Sequence, residues 1–143
     1  MLKEEILKQL KEKNEVKEII PGDYLGFFKR IGENKSVNKI MDVKPDYFIK
    51  YFDDSIDCLF FVKDAFLMFN YLSKLAVLKM LNSEFDFKKL IFYSENSRLM
   101  DSEERGIITE KNKISALDAY DSIKDLIKDF EEKIGRKIEL NID

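Results

Sequence analysis

CLFFVKDAFLMFNYLSKLAVLKML, residues 58–81, is apolar on every side, and its reading decides what fold the chain builds. Cys58–Val62 is short and rich in aromatic and branched residues, the composition of a strand. Lys63-Asp64 fits a tight turn, after which Phe66–Leu72 and Leu75–Leu81 read as a second and a third strand. The competing reading makes Asp64–Asn82 one buried helix capped by Asp64, because its leucines, methionines and alanines favour helices. Periodicity does not separate the two, since no polar face interrupts the run.

The flanks concentrate aromatic mass on this segment. Of the 18 Phe and Tyr residues in the chain, 13 lie between Tyr47 and Tyr93. Downstream, Lys88–Tyr93 reads as a strand and Ser94–Arg105 as a polar surface loop. Gly106–Thr109 fits a last edge strand, and Glu110–Lys113 a turn. Upstream, Pro45-Asp46 fits the start of a short helix, Asp46–Phe52, with Tyr47, Phe48, Tyr51 and Phe52 sharing a face. Val37–Val43 reads as a weak strand or a turn.

Further towards the N-terminus, IPGDYLGFFKRIG, residues 20–32, has the punctuation of a helix. Pro21 needs no amide partner and suits a first turn, and Asp23 adds charge where the helix dipole favours it. Tyr24, Phe27, Phe28 and Ile31 then fall on one face, and Gly32 provides a stop. Ahead of it, Leu2–Lys13 carries Leu2, Ile6 and Leu10 as a narrow apolar stripe among Lys and Glu. Asn14 ends that helix, and Val16–Ile20 runs extended into the proline.

Ile20, Pro21, Asp23, Tyr24, Phe27, Phe28 and Gly32 together resemble the opening motif of the SUKH superfamily. The Asn-Gly-Gly that follows in that family is here Gly32-Glu33-Asn34, and the chain has no Trp. The resemblance implies strands in 64–82, so the hairpin reading is preferred there. It also implies the family's common role, an immunity protein that neutralises a bacterial toxin, often a nuclease.

The C-terminal helix, Ala116–Ile134, is set by Leu117, Tyr120, Ile123, Ile127, Phe130 and Ile134 on one face, with Ser115 as cap and Asp118 in the capping-box position. On the opposite face Asp118, Asp121, Asp125, Asp129 and Glu132 also step by three and four. At 100° per residue they share a strip roughly 80° wide. Like charges at this spacing cost a few tenths of a kcal/mol each, so the strip is the candidate surface for a basic partner. A plain solvated face is the competing account.

Composition narrows the chemistry. With 143 residues and 45% apolar content, the chain is one domain, 1–143, able to bury a sizeable core. Net charge is −3, which gives no basic field for direct nucleic-acid binding. No histidine is present, which removes the commonest general base and metal ligand and any Ser-His or Cys-His dyad. Pro45-Asp46 with Asp86-Phe87-Lys88 echoes the acid-x-lysine core of metal-dependent nucleases, so Asp46, Asp86 and Lys88 form a lesser, magnesium-dependent alternative. Asp53, Asp54 and Asp57 lack the Gly and Glu of a calcium loop. The few glycines make no phosphate-cradling loop. A lone Cys58 among apolar neighbours points to a reducing, cytoplasmic setting, and no stretch reads as a signal peptide or membrane span.

These observations lead to a definite expectation. The fold is α+β, a central, mainly antiparallel sheet over about 58–109, packed by N-terminal helices and the C-terminal amphipathic helix. The function is non-enzymatic, with no cofactor, metal or catalytic residue. Its partner is a protein, a basic toxin or another nucleic-acid enzyme. A phage-type inhibitor or adaptor of a host nucleic-acid enzyme would show the same acidity, and oligomeric state is not readable.

Overall fold

The computed structural model describes residues 3–22, 43–63, 65–81, 84–94 and 116–142. In chain order they form α1 (Lys3–Lys11), β1 (Val16–Pro21), β2 (Tyr47–Tyr51), β3 (Ile56–Phe61), α2 (Ala65–Met80), β4 (Lys89–Ser94), α3 (Ala116–Ile134) and β5 (Lys137–Ile142). The expected α+β domain forms: a five-stranded sheet in the order β1-β2-β3-β4-β5, packed by helices. The sheet is mixed. β1–β2 and β2–β3 are antiparallel, whereas β3–β4 and β4–β5 are parallel. It also draws strands from Val16 to Ile142, well beyond the expected 58–109.

Helix α1 begins with Glu4 and Glu5 and ends with Lys8 and Lys11, charges that suit its dipole. Its Ile6 and Leu10 are buried, each worth roughly 1.5–3 kcal/mol of burial. A turn follows, with the Val16 amide donating to the Lys13 carbonyl, and the chain returns as β1. Pro21 does not open a helix. It closes β1 opposite Tyr47, where an edge strand tolerates a residue without an N–H. The rest of the Pro21–Gly32 segment past Gly22, residues 37–42, Asp64, the loop after Ser94, the Gly106–Thr109 strand, the Glu110–Lys113 turn and the Ser115 cap lie outside the described residues.

Two expectations are corrected. Residues 46–52 are not a helix: Tyr47–Tyr51 is β2, hydrogen-bonded on both sides, to β1 and to β3. Aromatic and β-branched residues fit that central position, with Tyr47, Ile49 and Tyr51 facing one way and Phe48 the other. Asp46, expected to start the helix, instead accepts the Phe61 amide at 2.7 Å on its carboxylate. The hairpin over 64–82 is also absent, because Ala65–Met80 is one helix. The parallel register Asp57↔Lys89 through Phe61↔Tyr93 requires a crossover between β3 and β4, and α2 is that crossover. Met68, Leu72, Leu75, Ala76 and Leu78 are buried while Asn70 and Ser73 are exposed, so its polar face is narrow, not missing.

The final helix falls where the sequence put it, Ala116–Ile134. Strand β5, which follows, was not expected. Gly135 takes φ +70 and donates its amide to Glu131, a left-handed stop that frees the chain to turn. Arg136 then donates to the Phe85 and Phe87 carbonyls, and the Ile138 amide to Glu131, which seats β5 beside β4.

The sheet separates two apolar clusters. Phe48, Cys58, Phe60, Leu90, Phe92 and Ile138 meet α2 and α3 on one face. Val16, Ile49, Leu59 and Ile91 meet Ile6 and Leu10 of α1 on the other. Alternation then places Asp57, Lys89, Lys137 and Glu139 on the α1 face, beyond the apolar area that α1 covers.

Candidate functional site

The acidic strip lies on α3. Ile123, Ile127 and Ile134 are buried, and Asp125, Asp129 and Glu132 are exposed on the opposite side of the helix. The side chains of Asp118 and Asp121 lie outside the described ones. Asp129 is paired with Lys133 at 2.9 Å, and Lys124 and Lys128 are exposed on the same helix. The carboxylates therefore face solvent in a row, with lysines along its borders.

Asp46, Asp86 and Lys88 do not come together. The Asp46 amide bonds to the Leu59 carbonyl near the end of β3, while the Lys88 amide bonds to the Ile56 carbonyl at its start. At ~3.3 Å per residue, the strand between those levels is about 10 Å long. Asp86 is exposed, and the Asp46 carboxylate is already engaged by the Phe61 amide. Among the described residues, no group of three or more His, Cys, Asp or Glu side chains is placed to hold a metal ion. Cys58 is fully buried, and burial, then the Asp57 charge, pushes its thiol well up.

The structure brings together a different set. Strands β1, β3, β4 and β5 all begin at the sheet edge where β2 ends, as the registers Val16↔Tyr51, Lys50↔Ile56 and Asp57↔Lys89↔Lys137 show. An open groove of about 730 Å³ runs along that edge. Asn14 and Glu15 enter it from the turn before β1, and Tyr51, Phe52, Asp53 and Ser55 from the end of β2 and its turn. Asp57 comes from β3, Lys88 and Lys89 from the start of β4, and Lys137 from β5.

The groove is held by its own polar contacts. The Tyr51 hydroxyl donates to Asp57 at 2.7 Å. Burial, then this bond and the nearby acids, pushes the phenol pKa up, so Tyr51 stays protonated as a donor. Asp53 accepts the amide and hydroxyl of Ser55, which hold its carboxyl low, with the Lys88 charge adding to the effect. Asp54 takes φ 68 in the same turn. Phe52 is 65% exposed at the rim, its backbone fixed by donation to Glu15. Lys89 pairs with Glu139 at 3.2 Å. Burial would raise Glu139, but the bond from Asn141 and the Lys89 charge outweigh it and hold the carboxyl low.

Sequence reasoning did not find this groove. Its residues come from five places along the chain, and only the strand register makes them neighbours. No family model matches the chain, and no curated protein or solved structure is significantly similar to it.

Proposed function

We propose that this chain is a non-enzymatic immunity protein that binds a basic, nucleic-acid-cleaving bacterial toxin and covers its active surface. The observation that carries the reading is the row of exposed carboxylates, Asp125, Asp129 and Glu132, on a helix whose other face is sealed into the core. Nucleic-acid enzymes present basic clefts, and a row of fixed acids steers onto such a cleft and occupies it. The SUKH-like motif at Ile20–Gly32 supplies the toxin class. The partner is a protein and the setting the cytoplasm; no described helix is long and apolar enough to cross a membrane.

The test is neutralisation in vitro with the toxin encoded by the adjacent reading frame. Inhibition should titrate to completion at one equivalent and coincide with a stable complex. Loss of toxin activity at far less than one equivalent, or no complex at all, would overturn the reading. A phage neighbourhood with a host nuclease as the captured protein would move the same mechanism to the inhibitor class.

A further inference from the structure

The charges lining the sheet-edge groove are sorted by strand. Glu15 precedes β1, Asp53 follows β2 and Asp57 lies in β3, while Lys88 precedes β4, Lys89 opens it and Lys137 opens β5. Since the strand order is β1-β2-β3-β4-β5, the groove is acidic along one half and basic along the other. Within the basic half, Lys89 faces Asp57 across the β3–β4 pair, and the Lys88 charge reaches Asp53. Lys89 and Lys137 stand directly opposite each other across the β4–β5 pair, an arrangement of like charges that weakens a sheet. Glu139 compensates Lys89, but among the described residues neither the Lys88 nor the Lys137 side chain makes a hydrogen bond or ion pair. At the acidic end, Phe52 is 65% exposed on a turn fixed by hydrogen bonds, beside Tyr51. Aromatic faces next to carboxylates form a cation site, by charge and by cation–π attraction.

We propose that this groove binds a small dipolar molecule, with an ammonium or guanidinium held by Asp53, Glu15 and Phe52 and a carboxylate or phosphate held by Lys88, Lys89 and Lys137. Adjacent strands are ~4.8 Å apart, so the two sets are separated by two spacings at the nearest, about 10 Å from Asp53 to Lys88 and Lys89, and by four at the farthest, from Glu15 to Lys137. An unblocked tripeptide spans ~10 Å and matches the nearer separation. The groove volume of about 730 Å³ accommodates a molecule of this size with room for water. The proposal is independent of toxin capture by α3, which lies elsewhere on the fold.

The experiment is calorimetric titration of the intact chain with free triglycine, N-acetyl-triglycine, triglycine amide and phosphorylethanolamine, each at millimolar concentration. Triglycine or phosphorylethanolamine should bind, the two arms telling whether the anionic end is a carboxylate or a phosphate. Each capped peptide should bind at least tenfold more weakly than free triglycine. Glu15→Gln and Lys137→Ala, both at exposed positions, should each weaken binding about tenfold and leave the melting temperature of the free protein unchanged. Binding of neither dipolar probe, or capped peptides that bind as well as the free one, overturns the proposal. So does tight binding that survives both substitutions.

Discussion

Tyr51 and Asp57 meet across the β2–β3 pair, the phenol donating to the carboxylate at 2.7 Å, and Asp57 is only 5% exposed. A nearly buried carboxylate depends on such a donor, so Tyr51→Phe should cost about 1–3 kcal/mol. In a chain of this length that lowers the melting temperature by about 3 °C per kcal/mol. An unchanged melting temperature would mean that Asp57 does not rely on the phenol.

The same pair gives a pH dependence. The folded pKa of Tyr51 is raised, so its contribution is complete below the ordinary tyrosine value of about 10. Above that, the unfolded chain loses the proton while the folded chain retains it, and stability declines as pH climbs. Urea midpoints measured from pH 9 upwards should fall more steeply for the wild type than for Tyr51→Phe. Parallel curves would contradict the shift.

Gly22 donates its amide to Asp46, and a Cβ placed on it would lie 1.7 Å from the Pro45 carbonyl oxygen. Backbone cannot yield as a flexible side chain does. Gly22→Ala should therefore cost at least about 1–3 kcal/mol in thermal or urea unfolding. A neutral result would show that 22 and 45 do not approach this closely.

Ser73 is exposed in the middle of α2, the segment that the sequence leaves open between helix and hairpin. In a helix, Ser73→Ala gains about 0.5 kcal/mol and Ser73→Pro loses about 3. Destabilisation by alanine together with tolerance of proline would speak for strands.

Cys58 is fully exposed only on unfolding, since the folded chain buries it completely and burial pushes its thiol up. A disulfide reagent at pH 8 should leave the native protein unlabelled and react at a rate set by unfolding. Labelling of the folded protein within minutes would contradict that burial.

The first and last helices were legible, whereas β5 and most of the middle of the chain were not, for physical reasons. Ile6 and Leu10 on α1, and Ile123, Ile127 and Ile134 on α3, each sit on helices with one wet side, where period and face coincide. Lys89–Ser94 was readable because Leu90 to Tyr93 is a short aromatic and branched run. Helix α2 packs against both the sheet and α3, which erases most of its polar face and leaves propensity to decide. Tyr47–Tyr51 misleads differently, because Tyr47 and Tyr51 are four apart and also share a strand face. The acidic strip is visible as a spacing, but a spacing does not show that Asp129 is paired with Lys133. The groove was invisible because Asp57, Lys89 and Lys137 become neighbours only through two parallel registers.

The most direct test of capture by the acidic face is the association rate. Asp125, Asp129 and Glu132 are exposed, so reversing all three to Lys should leave folding intact. Stopped-flow binding to the adjacent-frame toxin at low salt should then slow by about tenfold or more, and its salt dependence should largely vanish. An association rate equal to wild type, with the same salt dependence, would contradict the account.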